Sequence, residues 1–442
     1  MSNSATSRFH KLLSKHSFIV TACLIFFSNI WRATELLEYD FVRAEDLTHL
    51  FKEAIERGFS SVFYPIIGHY QTIPRLVIFL ITSISIKYTP QLIIISALLI
   101  SSFCLSIFTR SSFRWIIKSD LMRVFLCLAF SYSKGSHDTI FSLVSLVYLF
   151  ICTEAFLLLE KDESEHWQCS FKKTCFLILL FLSAANSIIL LPFIIYLYHE
   201  TKNKNYLILI FALIATTLLN VIATTNDAIS NPKSFDILLL ITDYFTVYAF
   251  KFLINPAFGV FSYNIFNLIS FKTLESIFLA CDIAFFTALL IMRQKKLMIL
   301  TFLMLCLNLN VVLQELVRPY SREMLFSPIE IRYSFSYAIF SIIFLCHIYS
   351  STFQYLKINF TRWILLIWII QCGINGGLFL ECLTDEDVVG YWDRVTNKIG
   401  HYQSLRDRGE LEKDGIVKIP KTPHSFINVY MQPLEIIIKA KD

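Results

Sequence analysis

Uninterrupted apolar runs recur along almost the whole chain, and that recurrence constrains its fold more than any single motif. A run of about 20 apolar residues spans a bilayer, and several here approach or reach that length. In lipid the backbone must satisfy its own hydrogen bonds, so continuous runs read as helices. An outer-membrane barrel would alternate apolar and polar residues instead. With 55% hydrophobic residues and 42 Phe in 442 positions, the chain is too apolar for a soluble domain of ordinary usage. The sequence predicts an all-α polytopic membrane protein.

Basic residues orient it. Arg8, Lys11 and Lys15 precede the run Phe18–Trp31, so the N-terminus is expected in the cytoplasm and the run to act as a retained signal anchor. Residues 32–74 then form the first periplasmic loop. Arg75–Lys87 is brief for a span and reads as an interfacial or re-entrant helix. Gln91–Thr109 returns inward to the cations Arg110, Arg114, Lys118 and Arg123, and Leu121–Tyr132 goes out again. After a short outer loop, Ser133–Asp138, the run Thr139–Leu159 comes back to the charged loop Glu160–Lys173. Thr174–Tyr198 is too long for one helix and too short for two; Asn186 and Pro192 make it a broken hairpin. Asn205–Ala223, Leu274–Met292, Leu297–Val317, Tyr333–Ser350 and Trp363–Leu380 complete the spans, with Ile237–Phe252 placed as an outer-surface or re-entrant segment. The sum is about eleven crossings, N-terminus in and C-terminus out.

Residues 1–380 thus form a membrane module and 381–442 a small periplasmic tail, strand-like over Asp414–Lys421 around Ile416, Val417 and Ile419. The net charge of +5 sits mostly in short loops and marks no nucleic-acid surface. The 11 Cys show no CxxC and no zinc-like spacing. Walker A, GxGxxG, HExxH and GxSxG patterns are absent.

The first loop carries the densest candidate chemistry. Glu45 and Asp46 open a stretch in which Leu47, Leu50, Phe51, Ala54 and Ile55 recur at helical spacing, with Gly58 as its C′ residue. An amphipathic helix of this kind fits a membrane surface, and acids at its start also complement the helix dipole. His49 lies on its first turn. The segment Tyr64-Pro65-Ile66-Ile67-Gly68-His69-Tyr70-Gln71-Thr72-Ile73-Pro74-Arg75 follows. Arg75, Arg318 and Arg332, the last beside Tyr333, stand at outer span boundaries against the positive-inside trend. Each either snorkels to headgroups or grips a lipid phosphate bidentately. Asp282 lies within an apolar run; a hydrogen bond to a neighbouring helix is the simpler account of it than a functional role.

Glu-Asp after a first transmembrane helix, the Tyr-Pro-x-x-Gly-x-Tyr-x-x-x-Pro-Arg segment and the late Arg332-Tyr333 pair together resemble bacterial polytopic glycosyltransferases of the GT-C type. Within that class, size and layout are similar to the serotype-converting O-antigen glucosyltransferases. The resemblance implies a polyprenyl-phosphate-linked sugar donor, glucose by analogy, and transfer on the periplasmic face of the inner membrane to a lipid-linked or surface polysaccharide. It implies that Asp46 or Glu45 is the base, that Tyr64, Gly68, His69 and Tyr70 shape the pocket, and that Arg75 and Arg332 hold phosphate. Metal dependence varies across the class, and no metal or other cofactor is assigned.

Two other readings compete. An O-antigen polymerase or ligase would also use outer arginines, with its large polar loop late in the chain between two spans. A flippase or transporter would carry polar residues in mid-span and broken helices, for which Asn186, Pro192, Asp282, Asn308 and Asn310 are the hints.

Overall fold

The computed structural model describes residues 2–38, 46–65, 70–133, 136–162, 164–225, 237–250, 271–317, 335–352, 391–408, 410–411, 413–419 and 434–439. The helices are α1 (Ser2–Arg32), α2 (Lys52–Arg57), α3 (Thr72–Ile84), α4 (Thr89–Ser106), α5 (Asp120–Ser131), α6 (Leu146–Leu159) and α7 (Phe171–Phe181). They continue as α8 (Leu191–Thr201), α9 (Lys204–Thr225), α10 (Ile237–Tyr248), α11 (Phe271–Met292), α12 (Lys295–Val317), α13 (Phe335–Thr352) and α14 (Tyr391–Asp407). A hairpin of β1 (Gly415–Ile419) and β2 (Leu434–Ile438) closes the described chain.

Hydrogen bonds fix the direction of the helices. Ser17 Oγ, low on α1, donates to Thr109 O just past the end of α4, 3.0 Å away. Arg32, at the top of α1, donates to Ser131 O at the end of α5, 3.0 Å away. So α1 and α5 run up and α4 runs down. At the lower end Arg110 pairs with Glu160 at 2.9 Å, Lys295 with Glu200 at 3.2 Å and Lys296 with Glu165 at 3.1 Å. That end gathers the loop cations beside their carboxylates.

Two helical stretches among the described residues, Thr89–Thr109 and Lys204–Ala223, are long and apolar enough to cross a membrane. The bundle also wears its apolar residues outside. On α9, Phe211 and Ile222 are 65% and 61% exposed, while Arg75, Arg123, Asn29 and Asn308 are buried. Water would penalise such an exterior, and lipid would not.

One expected run proves to be broken, and the hairpin expected at Thr174–Tyr198 is present. Thr139–Leu159 is not one helix: a short turn, Ser136–Ile140, precedes α6, and 141–145 between them is non-helical. Ser142 Oγ accepts from Ser145 N at 3.4 Å there, the local side-chain competition by which serine interrupts helices. Thr174–Tyr198 folds as α7, a 3₁₀ turn Ala185–Leu190 and α8, with both arms packed along α9. Asn186 Nδ2 in that turn donates to Asn310 Oδ1 on α12 at 2.7 Å. The segment expected as outer-surface or re-entrant, Ile237–Phe252, supplies α10 over its described part; α10 packs against α11 and α12, and Tyr244 donates to Leu305 O at 2.7 Å, so it does not lie on an outer surface. Trp363–Leu380 lies outside the described residues.

In the tail, β1 and β2 pair antiparallel with Val417 opposite Ile436. Gly415 is required because a Cβ there would sit 2.6 Å from the ring of Tyr402 on α14. Glu56 on α2 accepts from Ile437 N at 2.8 Å, which ties the hairpin to the upper-end loop.

Candidate active site

The loop helix folds as its periodicity predicts. A wide π-type turn, Asp46–Phe51, runs into α2. Leu50, Phe51 and Ala54 are buried, and the stripe they form faces α3 inside the protein. It is therefore covered by protein instead of being free for a membrane surface. Gly58 ends the helix at φ 59°, ψ −138°, backbone that only glycine adopts readily.

Asp46 is 1% exposed, and its Oδ1 accepts from Val144 N at 2.9 Å. The break at 141–145 leaves that N–H without a helical partner, and the carboxylate supplies one. The first loop and the start of α6 are thereby joined through this acid. His49, one turn on, is partly buried.

Arg75 is placed against the expectation that it grips phosphate. It has no exposed surface; Nη1 donates to Ser61 O at 2.8 Å, and Nη2 lies 2.6 Å from Glu53 Oε2 on α2. A guanidinium neutralised by an internal carboxylate clamps the loop and leaves little for a ligand. Tyr64 is partly exposed, with Arg57 Cζ 3.7 Å and Arg75 Cζ 5.9 Å from its ring centroid. Tyr70 N donates to Asn220 Oδ1 on α9 at 3.1 Å. Ile73 N donates to Ser183 Oγ at 3.0 Å and Thr72 Oγ1 to Leu182 O at 3.0 Å. The start of α3 is so fastened to the top of the α7–α8 hairpin. Glu45, Gly68, His69, Arg318, Arg332 and Tyr333 lie outside the described residues.

Sequence reasoning passed over Arg32, Glu53, Arg57 and the Val144 N–H. Arg32 reads as a span boundary, although an arginine on the side away from the cationic loops is itself a signal. Arg32 is 9% exposed, and its guanidinium donates from Nη1 to Asn29 Oδ1 at 2.8 Å and to Ser131 O. The rings of Tyr132 and Phe141 flank it, at 4.6 and 5.7 Å from Cζ. Phe141 and Val144 belong to the same break, so that short stretch carries Arg32 on one residue and Asp46 on another. Elsewhere, Asp282 on α11 is 1% exposed, and the interhelix hydrogen bond expected for it is not made among the described residues. Glu154 on α6 has no exposed surface and meets Ser187 Oγ at 2.8 Å. No protein-family model, curated protein or solved structure matches the chain.

Proposed function

We propose that the chain is a membrane glycosyltransferase that moves a hexose, glucose by resemblance, from a polyprenyl-phosphate carrier to O-antigen or a similar surface polysaccharide. The observation that carries this reading is the carboxylate of Asp46, withdrawn from solvent at the upper end and seated on the broken start of α6. In the step, the acceptor hydroxyl oxygen bonds to the sugar's anomeric carbon and the bond from that carbon to the phosphate oxygen breaks. The hydroxyl proton goes to the carboxylate of Asp46, and polyprenyl phosphate leaves with the bonding pair. Partly exposed Tyr64 and Tyr70 on the same loop suit stacking on a sugar ring.

Gathering of the paired cations at the lower end supports the orientation expected from the sequence, with that end cytoplasmic and the upper end periplasmic in a bacterial inner membrane. About eleven crossings belong to the same reading.

One observation favours a second reading, a flippase for a lipid-linked sugar. Glu154, Asp282 and the Asn186–Asn310 bond place polar groups in the middle of the bundle around a broken helix. Identification of the lipid that co-purifies with the protein separates the cases. A polyprenyl-phosphate hexose supports the transferase, a diphosphate-linked oligosaccharide points to polymerase or ligase, and movement of lipid-linked sugar across vesicles without transfer supports the flippase.

A further inference from the structure

Among the described residues, three arginines are nine-tenths or more buried: Arg32, Arg75 and Arg123. Two of them have a carboxylate. Arg75 pairs with Glu53, and Arg123 with Asp120. Arg32 has none among the described residues; its Nη1 is held by Asn29 and Ser131, and its Nη2 makes no hydrogen bond. Withdrawing an ion from water costs several kcal/mol unless a counter-charge or hydrogen bonds replace the lost solvation. Cation–π contact with Tyr132 and Phe141 offsets part of that cost and fixes the plane of the guanidinium. The edge at Nη2 is enclosed by protein and makes no hydrogen bond.

Other unsatisfied groups lie along the same stretch of chain. Ser136 and Ser145 are buried, and neither hydroxyl has a hydrogen-bond partner. They fall on either side of Phe141 and Val144, the residues that touch Arg32 and Asp46. An unpartnered guanidinium edge, and two unpartnered hydroxyls on the stretch of chain that carries Phe141 and Val144, are donors of the kind that phosphate oxygens accept.

We propose that Arg32 is the anion-binding residue of the upper end, seating a phosphate monoester on its Nη2 edge with Ser136 and Ser145 as supporting donors. That this monoester is the head of the polyprenyl carrier rests on the transferase reading; the anion seat itself does not. With the carrier in place, the phosphate that leaves during transfer is held beside the acid that takes the proton, and the charge it gains is met by Arg32.

Full-length protein in nanodiscs, titrated with polyprenyl phosphate, the uncharged polyprenol and phosphatidylglycerol, tests the seat. Arg32→Gln is expected to weaken polyprenyl phosphate roughly 10- to 100-fold, the scale of a lost charge-assisted hydrogen bond. Polyprenol binding stays unchanged, and Arg32→Lys retains part of the affinity. Arg114→Gln, at the opposite end, serves as the control and changes nothing. If Arg32→Gln unfolds the protein, the pair Ser136→Ala and Ser145→Ala is read instead, with a smaller loss expected. Folded Arg32→Gln that binds polyprenyl phosphate as tightly as the parent, or serine variants without effect where it does not fold, overturns the proposal even if sugar is still transferred. Arg32-dependent binding in which phosphatidylglycerol equals polyprenyl phosphate, with no transfer, upholds the anion seat and removes the transferase reading.

Discussion

Arg75 Nη2 and Glu53 Oε2 lie 2.6 Å apart, with Arg75 wholly out of water and Glu53 17% exposed. One helix of the upper-end loop is thus locked to the next by an internal charge pair. Removing one partner strands the other, which costs about 3–5 kcal/mol for a buried pair. Arg75→Met and Glu53→Gln are each expected to destabilise on that scale. The double variant should lose less than the sum of the two, as measured by denaturant unfolding in detergent. Simple additivity would show that the two residues are not coupled.

The position of Gly58 makes a second expectation. Its φ of 59° with ψ of −138° ends α2 and turns the chain into the 3₁₀ segment Gly58–Phe63, which carries Ser61, the acceptor for Arg75. No atom crowds the place a Cβ would take, so the effect of Gly58→Ala isolates backbone strain. A loss of about 1–3 kcal/mol is expected; a thermal scan showing no change would contradict it.

What the sequence disclosed follows from periodicity. The stripe Leu50, Phe51 and Ala54, the glycine that ends it, and the strand around Val417 are local patterns, and each is present. Partner choice is not local. Nothing in the spacing says that Arg75 will meet Glu53, twenty-two positions earlier, instead of a ligand. The serines that break 141–145 look unexceptional inside an apolar run, yet the break exposes the N–H that Asp46 takes. Arg32 was hidden in the same way, because its buried place beside Ser131 and the rings of Tyr132 and Phe141 is set by contacts about a hundred positions away.

Hydrogen counting at the α7–α8 hairpin gives a third expectation. Ser187 Oγ lies 2.7 Å from Ala184 O and 2.8 Å from Glu154 Oε1. A hydroxyl has one hydrogen, and a backbone carbonyl can only accept. The one hydroxyl hydrogen of Ser187 is therefore shared between Ala184 O and Glu154 Oε1, with Ser187 as the donor to both. Glu154→Gln, whose amide oxygen still accepts from Ser187, is expected to cost less than Glu154→Ala, for which a loss of about 1–3 kcal/mol is expected in denaturant unfolding. Equal destabilisation by Gln and Ala would refute the role of that hydrogen bond.

At the lower end, Asp120 gives the pH dependence. Burial alone would raise its pKa, but hydrogen bonds from Arg114 (3.0 and 2.8 Å) and the charge and hydrogen bond of Arg123 outweigh it, holding the carboxyl below its ordinary range. A carboxyl depressed on folding stabilises above its unfolded pKa of about 3.9 and loses that contribution as pH falls through the folded value. Asp120→Asn is therefore expected to unfold at lower temperature than the parent at pH 7. The gap should close below about pH 4. A gap that stays constant down to acid pH would show that the ion pairs contribute nothing.

The central claim is that Asp46 takes the proton of the acceptor, and single-turnover transfer by Asp46→Asn tests it most directly. Asparagine keeps an oxygen for Val144 N, so the seat survives while the base is lost. With donor-loaded protein and a saturating acceptor, the rate is expected to fall by about 10²–10⁴ while donor binding is retained. Transfer at the parent rate by folded Asp46→Asn would contradict the account.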